Sequence, residues 1–537
     1  MRRQSFVRTM FRIDWSALLE RCSIFVFSIS VAFAGANFAA LAEGVTAEKV
    51  TAALPSLDRL ADDIIKRGDV PGLAIGVVFN DKVIYLKGFG VREIGKPRLV
   101  DADTVFQIAS FSKPIASTVV AALVGDGVVS WDSKISDLDP EFRFSDPYAT
   151  AEVTIRDLFS HRSGLWGDAG NDLEAYGYDQ HEILRRIRFL RPAGSFRATY
   201  AYSNFGLTEG AVAAARATGT AWADLAESRL FKPLGMTKTS FRYADFLARP
   251  NRAELHAFID RRWQAVVKRQ PDPQSPAGGV SSNVRDLTTW VRLQMGGGAL
   301  NGVPVIKPEA LAETHQPIML SGKNPITGEP SYYGLGWADT SDSHGTHWIH
   351  SGAFSAGART VADILPADHL GIVVLANAFP SGVPEGIAAS FYDQVFDGKV
   401  SKDWVAQWND AFGTAYFKKY VEPQIAQFAQ VPAHPTAALP VTAYVGTYAN
   451  GYVGQAVVRE KGGELILELG PKGALALPLK HFDRDIFLYY PEKEAPDLPF
   501  AIQFVVGPDS KAVAAVMNAA VDYGQEILLR TSTRTSP

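Results

Sequence analysis

The sequence predicts an α/β (α+β) chain: an antiparallel sheet flanked by helices, an all-helical subdomain, and a small antiparallel β-barrel at the C-terminus. Three observations carry this. β-rich runs lie near residues 73–87 and 348–375 with helical patterning between them, so one sheet has to be assembled from both ends and covered by helices. Glycine and proline divide residues 125–300 into short helical segments. Residues 438–537 then change to short β-rich runs separated by turn signals, the spacing of a small barrel or sandwich.

Taken in order, residues 44–66 put Val50, Leu54, Leu57, Leu60 and Ile64/Ile65 on one helical face. Leu73–Phe79 and Val83–Lys87 flank Asn80-Asp81, a hairpin signal. Ile115–Leu123 is apolar enough for a buried helix, and Pro114 is tolerable only in its first turn, which puts Ser110 near a helix N-terminus. Helical segments follow at Asp157–His161, His181–Phe189, Gly206–Ala215, Trp222–Leu230 and Val284–Met295. Trp348–His350, Ala358–Ile364 and Gly371–Leu375 are β-rich, and a helix is expected near 383–397. Residues 400–435 suggest a helix that runs into a Pro/Ala linker, Val431–Pro440. The barrel runs are Tyr444–Tyr448, Gln455–Arg459, Leu465–Leu469, Leu475–Leu479, Ile486–Tyr490, Ile502–Val506, Ala512–Met517 and Ile527–Arg530.

Composition limits the functional class. The 537 residues are 47% hydrophobic and 20% charged, enough for a large core, and the net charge of −4 gives no sign of nucleic-acid binding. Arg2, Arg3, Arg8 and Arg12 precede an apolar run from Ile24 to Ala36, and Ala40-Leu41-Ala42 fits a small-x-small cleavage site. This reads as an export signal over residues 1–42, with an uncleaved anchor as the alternative, and implies a periplasmic or secreted protein with no stable span once the signal is removed. The only cysteine, Cys22, lies inside that signal, so disulfides, cysteine nucleophiles and thiolate metal sites are excluded from the mature chain. No cofactor is expected. The remaining boundaries are 43–398 for a catalytic domain, 399–437 for helix and linker, and 438–537 for the barrel.

The chemistry starts at Ser110-Phe111-Ser112-Lys113, which sets a hydroxyl and an amine on one face of a helical turn. A serine needs a neighbouring base, and a lysine can be one if burial lowers its pKa. Tyr202-Ser203-Asn204 lies just before a helical run; a tyrosine can move protons if cations lie nearby, although an ordinary turn has the same pattern. Tyr448-Ala449-Asn450 repeats the pattern but is assigned to a strand end and turn. His350-Ser351-Gly352 sits on a β-rich run followed by small residues, where substrate could lie along the strand and backbone N–H groups could form an oxyanion hole. His344, His347 and His350 invite a zinc reading, but on a strand His347 would point away from the other two, so no metal site is expected.

Ser110-x-x-Lys113, Tyr202-x-Asn204 and His350-x-Gly352, in this order, resemble the class C β-lactamase-like serine hydrolases, a family of β-lactamases, D,D-peptidases, D-aminopeptidases and esterases. Pro71–Ala74, Ser160–Leu165, Lys232–Met236, Ala277–Val280 and Tyr333–Trp337 add to the likeness, which spans about residues 50–395. The C-terminal region resembles a lipocalin-like domain. The resemblance implies a β-lactamase/transpeptidase-like fold, with Ser110 as nucleophile and Lys113 and Tyr202 sharing proton transfer, Tyr202 acting as base in acylation. It further implies an oxyanion hole from the N–H groups of Ser110 and Ala353, Asn204 binding a substrate amide or orienting Lys113, a substrate contact at Gly352, and His350 within the catalytic set. β-Lactamases and D,D-peptidases carry a lysine where this chain has His350, so poor β-lactam turnover is expected. The expected substrate is a peptide amide, on D-residue or unusual linear peptides. A carboxylesterase and a non-catalytic penicillin-binding sensor are the alternatives.

Overall fold

The computed structural model describes residues 44–414, 417–493, 495–518 and 524–531, apart from the side chain of Tyr420, and residues 45–537 form one compact unit. The expected export signal lies outside the described residues. Among those residues, no helix is long and apolar enough to cross a membrane.

Helix α1 (Ala47–Arg67) leads into β1 (Gly72–Phe79) and β2 (Lys82–Gly90). Asn80 and Asp81, both at positive φ (46° and 59°), make the two-residue turn that the strand twist favours. Helices α2 (Ser112–Gly125), α3 (Asn204–Arg216) and α4 (Val284–Met295) anchor the helical middle. The chain then lays down β3 (Met319–Lys323), β4 (Pro330–Tyr333), β5 (Ala338–Asp342), β6 (Gly345–Phe354), β7 (Ala358–Leu365) and β8 (Leu370–Ala376), and closes with α5 (Val383–Asp397). These form one eight-stranded sheet in the order β2-β1-β8-β7-β6-β5-β4-β3, antiparallel throughout. The first and last thirds of the domain meet where β1 pairs with β8, Ile75 opposite Val374.

The strand period of two decides which layer each residue faces. Leu73, Ile75, Val77, Ile372 and Val374 pack against α1 and α5. Ala74, Val78, Val373 and Leu375 face the opposite way, toward α2, α4 and the helical subdomain. β3, β4 and β5 went unforeseen in the sequence because they form the exposed edge of the sheet. Their residues are mostly polar and half-exposed, and Pro330 opens β4.

Eight further strands close a barrel: β9 (Gly446–Asn450), β10 (Gly454–Lys461), β11 (Glu464–Leu469), β12 (Leu475–Asp483), β13 (Ile486–Tyr489), β14 (Phe500–Val506), β15 (Ala512–Met517) and β16 (Ile527–Arg530). They match the eight expected runs. Tyr448 is buried in the barrel and donates to Tyr444 O at 2.6 Å, which disposes of it as an active-site tyrosine.

The barrel does not hang from its linker. The β9–β10 turn lies on residues 170–190 of the helical subdomain: Tyr178 Oη donates to Val453 O (3.0 Å), and Arg186 Nη1 donates to the carbonyls of Gly451 and Tyr452 (both 3.0 Å). Leu173, Tyr176 and Ile183 share one continuous apolar cluster with Tyr452, Val453 and Leu469. Gly454 is needed there twice over, since its φ is +83° and a Cβ would come 2.3 Å from Tyr178 Oη.

Calorimetry of the full chain is therefore expected to show barrel and sheet domain melting in one transition. Gly454→Ala should lower its midpoint, with a loss of at least about 1 kcal/mol. Two separated transitions in the wild type would contradict the shared core.

Candidate active site

The nucleophile candidate Ser110 sits in a 3₁₀ turn, Ala109–Phe111, that runs directly into α2. Ala109 takes the left-handed conformation (φ +49°), which is strained for a residue with a Cβ and has to be held by its surroundings. Ser112 Oγ donates to Ala109 O (2.6 Å) and accepts from Val280 N (2.9 Å). Ile108 N donates to Val280 O (3.0 Å), and Thr360 Oγ1 donates to Ile108 O (2.9 Å). β6 crosses close behind: a Cβ on Gly352 would fall 2.0 Å from Ile108 O and 2.9 Å from Phe111 N. Gly352 was expected beside substrate; what its missing side chain permits in the structure is this approach of strand to nucleophile turn.

Lys113 is fully buried beneath Ser110. Its Nζ lies 3.0 Å from Ser110 Oγ, 2.7 Å from Asn204 Oδ1 and 3.0 Å from Ala277 O. Burial drives its pKa well below the ordinary lysine value. Asn204 opens α3 after the Ser203 cap, so Lys113 is held from the start of one helix by the start of another. Asn204 Nδ2 in turn donates to Asn171 Oδ1 (3.3 Å).

The Tyr202 ring lies 4.5 Å from Lys113 Nζ, with Ser110 close enough to its hydroxyl to influence the phenol's pKa. Burial raises the phenol above its usual range, Ser110 opposing this. His161 packs against Tyr202, ring centroids 4.5 Å apart. Its Nδ1 accepts from Ser203 N (3.1 Å), so a neutral ring carries its proton on Nε2. Burial above all pushes His161 well below the usual histidine range.

His350 is also buried, and burial followed by Lys113 takes its pKa down to about 3. The neutral ring is satisfied at both nitrogens: Nδ1 to Ser351 O (2.7 Å) and Nε2 to the Tyr333 hydroxyl (2.9 Å). Its ring lies 6.3 Å from that of Tyr202. His350, expected within the catalytic set, lies in the wall of the site with both nitrogens committed to the protein. The strand around it has a free edge. β6 pairs with β5 only up to Ile349 opposite Ala338, while its pairing with β7 continues to Phe354, so 350–354, including Ala353, are paired on one side only.

The structure therefore gathers Ser110, Lys113, Tyr202 and Asn204 by direct contact, with His350, Gly352 and Ala353 on the adjoining strand. Ala277, Tyr333 and His161 appeared in the sequence only inside segments without a role; their shared signal was proximity to glycines, which permit close backbone approach. Asn171 carried no signal at all. The histidine triplet divides differently from the expectation. His344 lies in the β5–β6 turn, ahead of the strand, and shares Asp342 with His347 on the side away from His350.

The barrel reaches this site through one loop. Tyr452 Oη accepts from Gly170 N (3.0 Å) and donates to Asp172 Oδ1 (2.5 Å), holding the backbone before Asn171 and the side chain after it. Burial lifts the Asp172 carboxyl to about 6 against the opposing Tyr452 hydrogen bond.

Residues 57–395 match the family model described as Beta-lactamase, and residues 430–530 match one described as a domain of unknown function, DUF3471. An unguisins hydrolase, ungD, of Aspergillus violaceofuscus is 24% identical over 517 residues, covering 89% of each chain. Protein flp of Staphylococcus aureus is 23% identical over 342 residues, 61% of this chain and 64% of its own. The octameric penicillin-binding protein homologue from Pyrococcus abyssi superposes with a TM-score of 0.57 at 17% identity, over 89% of this chain and all of that one, and shares its fold. With the family model spanning most of the chain and the Ser110–Lys113–Tyr202 cluster at its centre, this protein belongs to the β-lactamase family of serine hydrolases.

Proposed function

We propose that the chain hydrolyses peptide amide bonds through an acyl-Ser110 intermediate, on unusual or D-residue linear peptides, and that residues 1–42 export it to the periplasm or beyond. The observation that carries the reaction is the surroundings of Lys113 Nζ. A neutral amine has two N–H donors and one lone pair. Asn204 Oδ1 and Ala277 O take the two donors, and Ser110 Oγ at 3.0 Å lies where the lone pair can accept its proton. Burial lowers the amine and raises the Tyr202 phenol, which favours the neutral form of each and fits Lys113 as the base. In this reading Lys113, in place of the Tyr202 expected from the resemblance, is the base in acylation.

In this reading Ser110 Oγ attacks the amide carbon as its proton passes to Lys113 Nζ. The N–H groups of Ser110 and Ala353 hold the oxyanion. Tyr202 gives its proton to the leaving nitrogen and is refilled from Lys113, and the C–N bond breaks to leave the acyl-serine. Water repeats the sequence in reverse and frees the acid. His350 supplies no cation for a β-lactam carboxylate because its ring is neutral and engaged with Ser351 O and Tyr333. Support for a hydrolytic role comes from the relative described as an unguisins hydrolase.

A panel of p-nitrophenyl esters, L- and D-aminoacyl anilides and nitrocefin tests the assignment. Anilide hydrolysis is expected, with nitrocefin at least about tenfold slower, the worth of one missing charge-assisted contact. Ser110→Ala is expected to lose all of it. Ester turnover without anilide turnover would make the protein an esterase, and a stable penicillin adduct without turnover would make it a sensor.

The active base is unprotonated, so kcat/KM should rise with pH along an acid limb well below the ordinary lysine value of about 10.4. Asn204→Asp sets a carboxylate against Nζ, favours the ammonium, and should move that limb up by about one unit. A limb that stays put assigns the titration to another group. Tyr452→Phe releases the loop behind Asn171 and is expected to lower kcat on the order of tenfold with little change in KM. Unchanged kcat would show that the barrel is not felt at the site.

A further inference from the structure

The face of the sheet domain opposite the catalytic serine carries a second cluster of ionisable groups, between the β5–β6 turn and α5. His347 lies between Asp363 (Nδ1 to Oδ1, 2.7 Å) and Asp342 (Nε2 to Oδ1, 3.0 Å). Burial opposes a charge there, but the two carboxylates outweigh it and hold His347 up at about 10. That imidazolium accounts for Asp342 and Asp363. It leaves His344, Asp393 and Asp397 as a separate group.

The side chain of His344 is 8% exposed, and its buried Nε2 makes no hydrogen bond. The atom points at Asp393 Oδ1 (3.7 Å) and Asp397 Oδ2 (3.6 Å). Both separations are too long for hydrogen bonds. They are close to the ~3.4 Å that two ligands of a tetrahedral metal at about 2.1 Å leave between them. The three ligand atoms lie within 4.8 Å of one another. Asp393 and Asp397 are four residues apart on α5 and share one helix face.

The group is already organised around the gap. Asp393 Oδ2 accepts from Ser401 N (2.7 Å), Ser401 Oγ (2.6 Å) and Trp404 Nε1 (2.7 Å), which turns Oδ1 toward His344. His344 is fixed by stacking on Phe396, centroids 4.7 Å apart at 20°, and by its own N–H, which donates to Asp342 Oδ1 (2.8 Å). Two carboxylates facing one ring nitrogen offer the negative charge that a dication would balance. Asp397, 56% exposed, leaves a route in from solvent.

We propose that His344 Nε2, Asp393 Oδ1 and Asp397 Oδ2 bind one divalent cation of the zinc type, with a fourth position open to water. One imidazole with two carboxylates suits a borderline metal better than magnesium or calcium, which prefer all-oxygen sites. The cation ties the turn that begins β6 to α5, and so stabilises the strand that carries His350 and Ala353. It takes no part in the chemistry at Ser110.

The test uses the full chain stripped with EDTA, dialysed, and given Zn²⁺ alone. Mass-spectrometric metal analysis is expected to find one equivalent bound per chain, and the unfolding midpoint should rise with Zn²⁺ concentration. Both effects should vanish in Asp397→Asn, whose exposed side chain leaves the fold intact by circular dichroism, and in His344→Gln. Zinc uptake equal in wild type and Asp397→Asn overturns the site. So does a wild-type midpoint indifferent to Zn²⁺, the behaviour of a protonated His344 paired with the two carboxylates. Stabilisation by Ca²⁺ or Mg²⁺ in place of Zn²⁺ overturns the assigned metal class.

Discussion

An amine with no access to water governs this molecule. In the proposed reaction Lys113 can act as a base only because it is buried, and burial is tolerable only because two acceptors and a hydroxyl surround its nitrogen. Each of those partners comes from a different part of the chain. Ser110 arrives on the strained turn before α2, Asn204 on the first residue of α3, and the Ala277 carbonyl on the Gly-Gly segment that braces the turn through Val280. The two halves of the sheet, far apart in sequence, have to close before the site exists. The strain at Ala109 is held by Ser112, Val280 and Thr360, which span helix, loop and strand β7.

Much of this was legible in the sequence where local chemistry is strict. The Asn80-Asp81 turn, the buried run after Ser110 and the eight barrel strands follow from turn residues and period-two alternation. Ser110 and Lys113 were found because one helical turn fixes their spacing, and Tyr202 and Asn204 because a short motif ahead of a helix completes the family pattern. The residues that surround them were not, for a physical reason. Ala277 acts through its carbonyl, which every residue possesses. Asn171 acts across more than thirty positions of chain. The edge strands β3–β5 are polar because one side of them faces water, and that removes the apolar pattern by which strands are recognised.

His350 illustrates how one position can be right in place and different in role. Its location on β6 follows from the motif, but its nitrogens are turned into the protein, toward Ser351 O and the Tyr333 hydroxyl. The ring is then an apolar surface flanking Tyr202. Tyr202, Tyr333, His161 and His350 make a single aromatic box around the base, with ring centroids 4.5–6.3 Å apart. Through Tyr202 the box covers Lys113, which is fully buried. A fixed positive charge in place of His350 would compete with protonation of the lysine.

The grip of Tyr452 on residues 170 and 172 bears on how this chain could have been put together. A barrel joined by a linker alone could be exchanged for another like a bead on a string. Here the inherited unit is larger than the barrel: the 450–454 hairpin and the 170–178 loop are complementary surfaces that have to change together. A graft that honours only the linker would bring a foreign hairpin against a loop shaped for this one, and would carry the mismatch inward to Asn171. The natural seam for recombination in this protein therefore runs through the catalytic domain, on the near side of that loop, and not through the proline-rich segment where the sequence suggests a cut.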